Sequence, residues 1–124
     1  MRKLCIAMPT WMSTSLGGML TEGIDVTYKT LKKAKDFFGG EDFSKLKFCG
    51  HQVSKTHHDA VGQLAGVVNA RAYKTFPTLG NTVSAAVPIT FAKALENQFI
   101  VDGDTVCLIG AGSGINCLVL GVQW

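Results

Sequence analysis

The stretch Gly103-Asp104-Thr105-Val106-Cys107-Leu108-Ile109-Gly110-Ala111-Gly112-Ser113-Gly114-Ile115-Asn116-Cys117-Leu118-Val119-Leu120-Gly121-Val122 determines what kind of sheet this chain builds. A turn at Asp102-Gly103-Asp104 leads into an apolar run over Thr105 to Ile109, a glycine-rich run, and a second apolar run over Ile115 to Val122. A glycine loop after a strand invites a dinucleotide reading. That fingerprint needs G-x-G-x-x-G opening a helix. Counting from Gly110, the sixth position is Ile115, and an apolar strand follows instead of a helix. The glycines therefore read as a tight turn that requires positive φ. Two strands joined by so short a turn must run antiparallel.

Working outward, the remaining chain alternates helix and strand. Leu20, Ile24, Tyr28, Leu31, Ala34 and Phe38 recur three or four apart, which predicts a helix from about Leu20 to Phe38, with Lys29, Lys32, Lys33 and Asp36 on the solvated face. Gly39-Gly40 stops it. Leu46 to Gly50 reads as a short buried strand. Lys55 to about Asn69 reads as a helix capped by Ser54. Arg71 to Thr75 reads as a strand, Pro77 to Thr82 as a loop, and Ser84 to Gln98 as a helix whose Pro88 is tolerated in its first turn. Lys3 to Met8 predicts a further short strand, and Pro9 to Gly18 an irregular segment. This order predicts an α/β fold: a mixed, mostly parallel sheet layered with helices and ending in an antiparallel strand pair. Residues 1–124 read as one domain, with residues 1–19 a partly irregular lead-in.

Composition narrows the function classes. Apolar residues make up 47% and charged residues 17%, against about a quarter charged in ordinary soluble domains. The excess apolar surface points to a covered interface. No apolar run reaches the ~18 residues of a membrane span, and the N-terminal apolar run is too short for a secretory signal. A net charge of +3 without an aromatic-and-basic stripe gives no reason to expect nucleic acid. Cys5, Cys49, Cys107 and Cys117 form no CxxC pair and sit mostly in apolar runs, which fits reduced thiols in the cytoplasm.

Two further motifs sit where elements end. His51 follows Lys47-Phe48-Cys49-Gly50 and precedes Gln52, at the strand end where open α/β sheets bind ligands. A single histidine there is by itself more often a structural hydrogen bonder. His57 and His58, on the following helix, read as surface or supporting residues. A zinc site from Cys49, His51, His57 and His58 matches no known spacing, so no metal is expected. Asn81, in Gly80-Asn81-Thr82 and followed by Ser84-Ala85-Ala86-Val87-Pro88, reads as a turn or cap residue. It also carries an amide donor, and the small residues around it allow close backbone approach.

Taken together and in order, His51-Gln52, Gly80-Asn81-Thr82 through Val87-Pro88, and Gly103-Asp104 through Gly114 resemble the C-terminal half of 3-oxoacyl-acyl-carrier-protein synthase III, of the thiolase-like condensing enzymes. The match runs from about Leu20 to Trp124. The run Gly112-Ser113-Gly114-Ile115-Asn116-Cys117 is similar to a subgroup that includes the head-to-head condensing enzymes of olefin biosynthesis. The resemblance implies one half of a thiolase-like fold. It implies Claisen condensation of acyl thioesters in fatty-acid or related lipid synthesis, with CoA and acyl-carrier-protein thioesters as substrates and no cofactor. His51 and Asn81 would be the catalytic histidine and asparagine. Ser113 would lend a backbone N–H to an oxyanion hole, with Gly80, Gly112 and Gly114 supporting the loops.

In the family the nucleophilic cysteine belongs to an N-terminal half and sits at a helix N-terminus that lowers its pKa. None of the four cysteines here reads as occupying such a place. Cys49, two residues before His51, lies inside a buried strand. The chain by itself is therefore expected to be inactive, and to need a cysteine-bearing N-terminal half or a second copy of itself, as a homodimer. The alternative is a non-catalytic half-domain that binds a full-length condensing enzyme, or an acyl-binding module.

Overall fold

The computed structural model describes residues 16–37, 40, 42–67, 71–112 and 114–124. The expected strand over Lys3 to Met8 lies outside them. Helix α1 spans Leu16–Phe37, strand β1 Lys47–Gly50, helix α2 Lys55–Ala65, a single turn of helix α3 Phe76–Leu79, helix α4 Ala86–Glu96, and strands β2 and β3 Thr105–Gly112 and Asn116–Gln123. The sheet order is β1-β2-β3. β1 runs parallel to β2, with Phe48 beside Cys107 and Cys49 beside Leu108. β2 runs antiparallel to β3, from Thr105 opposite Gln123 to Gly112 opposite Asn116. The sheet is mixed, as the sequence predicts, and its C-terminal pair is the antiparallel one.

Alternation along the strands separates two apolar layers. Phe48, Cys107 and Ile109 face α1 and α2 and pack with Leu31, Ala34, Val61 and Ala65. Cys49 and Val106 face α4 and pack with Ala94 and Ile100. β1 is buried on both faces, with Phe48 and Cys49 fully enclosed. Gly50 follows from Phe48: a Cβ there would lie 2.8 Å from the Phe48 ring, closer than real contacts allow.

Several boundaries move for identifiable reasons. α1 begins at Leu16, so Leu16 to Gly18 belong to a helix and not to an irregular segment. Its buried stripe runs through Thr27, Leu31 and Ala34, and Tyr28 is half exposed. α2 ends at Ala65 and not near Asn69, because Gly66 takes a left-handed φ of 72°. Gly66 N–H then donates to Gln63 O and Val67 N–H to Gly62 O, the paired bonds of a Schellman cap. The expected loop over Pro77 to Thr82 opens with α3, whose first turn tolerates Pro77. The expected helix from Ser84 starts with a 3₁₀ turn, Val83–Ala85, before α4.

The expected strand over Arg71 to Thr75 shrinks to one parallel bridge, Ala72 beside Phe48. Tyr73 N–H donates to Phe48 O. Beyond that point the ladder stops, because the side chain of Gln52 takes the backbone groups instead. Gln52 is 1% exposed. Its Oε1 accepts from Thr75 N–H and Phe76 N–H, each at 3.0 Å, and its Nε2 donates to Tyr73 O at 3.0 Å and to Thr90 Oγ1 at 3.4 Å. One amide thereby uses its full hydrogen-bonding capacity to join β1, α3 and α4.

Gln52→Leu fills similar space but leaves the Thr75 and Phe76 N–H groups and the Tyr73 carbonyl without their partner. Each buried group left so costs about 1–3 kcal/mol, so urea denaturation should show a loss of at least about 3 kcal/mol. A loss within the ~0.5 kcal/mol typical of surface changes would refute the role assigned to this amide.

Candidate functional site at the C-terminal end of the sheet

β1 and β2 are parallel, so their C-terminal ends share one edge of the sheet. His51 stands there. Its N–H donates to Ile109 O at 2.7 Å, which carries the β1–β2 ladder one residue past β1. The ring is half-buried. Burial holds its pKa below the ordinary histidine value, so the neutral imidazole is favoured. His57, in the first turn of α2, has its pKa lowered by burial and by the neighbouring His51 ring. Of the two readings the sequence allowed for His57 and His58, surface or supporting, burial excludes the surface one: His57 is half-buried and His58 is enclosed.

Asn81 follows by a short path from the Gln52 network. Gln52 Oε1 receives the N–H groups at the start of α3. α3 is closed by Gly80, whose φ of 66° with ψ of −156° lies outside the usual range of an L-residue. Asn81 follows, exposed. Its Oδ1 accepts from Val83 N–H at 2.9 Å. Because the backbone N–H can only donate, the accepting atom is the carbonyl oxygen, and the Nδ2 group is left as the outward donor. Val83 is held at φ 52°, an uncommon conformation for a β-branched residue. Further along, Val87 comes within 4.0 Å of the position a Cβ would take on Gly110. The Gly80 to Pro88 run thus passes the C-terminal end of β2.

Gly112 closes β2 opposite Asn116. Gly114 has φ 119°, and a Cβ there would meet Asn116 Nδ2 at 2.7 Å, so this turn requires glycine. Ser113 lies outside the described residues. Among the described cysteines, Cys49 and Cys107 are buried and their thiols are pushed up to about 12, chiefly by burial. Neither forms thiolate near neutral pH, so neither is an activated nucleophile. Cys49 faces the α4 layer. Among the described residues no helix is long and apolar enough to cross a membrane.

Sequence reasoning named Gln52 beside His51 but gave it no role of its own. Its signal was an uncharged amide directly after a buried strand and a histidine, a place where a long polar side chain must find partners.

The chain matches the family described as the C-terminal domain of 3-oxoacyl-[acyl-carrier-protein] synthase III over residues 45–124. It is 35% identical over 122 residues to an acyl-CoA:acyl-CoA alkyltransferase of Xanthomonas campestris, covering 98% of this chain and 36% of that protein. It is 30% identical over 74 residues to a beta-ketoacyl-[acyl-carrier-protein] synthase III of Synechocystis, covering 60% of this chain and 22% of that one. Among solved structures, 3-oxoacyl-(acyl carrier protein) synthase III of Xanthomonas oryzae superposes with a TM-score of 0.81 at 35% identity, covering 90% of this chain and 33% of the other. Cerulenin-bound OleA of Xanthomonas campestris superposes with a TM-score of 0.80 at 35% identity, covering 88% and 33%. The matches span between about a fifth and about a third of the length of these relatives. With a thiolase-like α/β fold and a family match across most of its length, the chain belongs to the 3-oxoacyl-acyl-carrier-protein synthase III C-terminal family.

Proposed function

We propose that residues 1–124 act as one domain, the C-terminal domain of a β-ketoacyl synthase III-like condensing enzyme, and that His51 and Asn81 are its two neutral donors. The observation that carries this reading is the arrangement at the sheet end. A half-buried imidazole biased to its neutral form and an amide turned Nδ2-outward lie on segments tied together by Gln52.

The chemistry needs such donors. A malonyl thioester loses CO2, or an acyl thioester gives its α-proton to a base supplied by the partner half, and the electron pair becomes an enolate with its charge on the thioester oxygen. N–H groups from His51 Nε2 and Asn81 Nδ2 stabilise that oxygen without being consumed. The enolate carbon attacks the acyl-cysteine of a partner half, the C–S bond breaks, and the thiolate leaves. Ser113 N–H, with the N–H of that cysteine, serves the tetrahedral oxyanion. The substrates are CoA and acyl-carrier-protein thioesters in the cytoplasm, and no cofactor is required. The alkyltransferase relative favours a second acyl thioester as donor over malonyl.

A second reading, a half-domain working through association, is favoured by a different observation. On the face of β3 turned to the α4 side, Leu118 and Leu120 are 68% and 50% exposed, while α4 packs on β1 and β2. Several hundred Å² of apolar surface in water is unusual for a monomer. A cysteine-bearing half covers it in the enzyme, and a second copy covers it in a homodimer.

Light scattering after size exclusion should show self-association of the chain, and Leu118→Asp combined with Leu120→Asp should return it to monomer. A wild-type monomer would remove this interface. The chain alone should release no thiol from acyl-CoA. Supplied with a cysteine-bearing half, it should support condensation. In that complex His51→Ala or Asn81→Ala should lower kcat by about 10²–10³. The sign of the pH dependence follows from the direction of the His51 shift. Its folded pKa lies below the usual ~6.5, so the neutral donor persists at pH 6.5 and the acid limb of kcat should fall below that value. Wild-type rates retained by both alanine variants would eliminate the assignment.

A further inference from the structure

His58 takes no part in the proposed chemistry, yet it is the most enclosed ionisable group among the described histidines. It is 3% exposed, and neither ring nitrogen has a hydrogen-bond partner among the described residues. Its ring packs tilted on Phe48, with centroids 6.0 Å apart. The same Phe48 ring closes on Gly50, where an added Cβ would lie 2.8 Å from it. Gly50 precedes His51. A continuous contact therefore runs from α2 through Phe48 to the site end of β1.

The surroundings are unsuited to an imidazolium. The charged and titratable groups facing His58 are Lys74, from the segment after Ala72, and Asp59 and His57, from α2. Lys55 joins Lys74 and Asp59 in lining a cavity of about 30 Å³ beside it. The one carboxylate in this set, Asp59, is held by Lys55 at 2.7 Å and lies 3.7 Å from Lys74. A cationic ring would add a charge and a second N–H donor to a place where no described protein group accepts from either nitrogen, which costs far more than burying the neutral ring.

We infer that His58 is an acid-release latch for the His51 end of β1: neutral, its ring holds Phe48 beneath Gly50, and protonated, it leaves the core for solvent and withdraws that support. The proton comes from water and bonds to the free ring nitrogen; no other bond changes. Burial first, then Lys74, keep the folded pKa below the ordinary value, with Asp59 opposing and His57 adding. The unfolded chain takes this proton near pH 6.5. The stabilisation is therefore complete above that pH and is lost as pH falls below it, by up to about tenfold in the folding constant per pH unit. The latch does not depend on His51 being catalytic.

The test compares the full chain with His58→Phe, which keeps a flat ring against Phe48. Urea denaturation between pH 7 and 5 should give a folding constant that falls less steeply in the variant, by up to about tenfold per pH unit. Hydrogen exchange at mildly acid pH should show the His51 to His58 amides opening before those of β2 and β3 in the wild type, and not in the variant. Equal pH slopes, or uniform opening in the wild type, would overturn the latch. Should the variant fail to fold, NMR titration of the wild-type His58 ring decides. No protonation is expected while β1 amides stay protected, and a midpoint near pH 6.5 with β1 protected would overturn the proposal.

Discussion

Gln52 is the constraint on which the site end of this fold depends. An amide has two donor hydrogens and a carbonyl with two lone pairs, and here both ends are engaged inside the protein. Three of the four bonds go to backbone groups that a neighbouring strand would otherwise use in a ladder. After Ala72 the chain pairs with β1 once and can go no further as a strand, since Tyr73 O and the Thr75 and Phe76 N–H groups are already taken. It turns into α3 instead. Because Gln52 receives the first N–H groups of that turn, α3 starts at a fixed distance from His51, and Gly80 and Asn81 emerge from its far end. Thr75 and Thr90, joined hydroxyl to hydroxyl at 2.9 Å, extend the same buried network into α4.

This arrangement also sets the electrostatics. The buried groups beside His51 are neutral: an amide, two hydroxyls and backbone dipoles. A charge in their place would draw counter-charges and water to the sheet end, and would shift the histidine toward its ionised form. A neutral network satisfied within itself allows the imidazole to remain a donor without ionising. The same low polarity that suits the histidine raises the thiols of Cys49 and Cys107. An enclosed apolar sheet favours neutral donors and disfavours a thiolate, which needs a positive helix end or a cation.

The parts of the structure legible in the sequence are those fixed by neighbours along the chain. The β2–β3 hairpin follows from two apolar runs and a glycine turn, and the start of α2 from Ser54, which accepts the His57 N–H as a cap should. The Gly66 stop was written in the sequence as well, but a single glycine inside an apolar period reads equally as a tolerated interruption. The missing strand after Arg71 was not legible, because its cause is a side chain about twenty residues away capturing its backbone. Local alternation carries no trace of that competition. The enclosure of His58 was hidden for a similar reason: adjacent histidines in a helix's first turns look alike until the sheet beneath decides which one faces Phe48. At the site, His51 and Asn81 were legible as element-ending residues, whereas the orientation of the Asn81 amide required the Val83 N–H to be placed.

β3 shows most directly that the chain is shaped for more contact than the described residues supply. A strand with one face on a core and one in water alternates apolar with polar. β3 does not. Cys117 and Val119 turn toward the α1 side and pack there, but the intervening Leu118 and Leu120 are apolar too, and they face outward. Their cross-strand partners are Gly110 and Leu108, so no bulky neighbour on β2 shields Leu118, and α4 lies over β1 and β2. Residues apolar on both faces are the pattern of a strand enclosed on both faces. Nothing in the pairing of β2 with β3 requires leucine at positions 118 and 120, since the backbone ladder would form as well with threonine or lysine there. The pairing within the hairpin therefore does not account for leucine at these two positions.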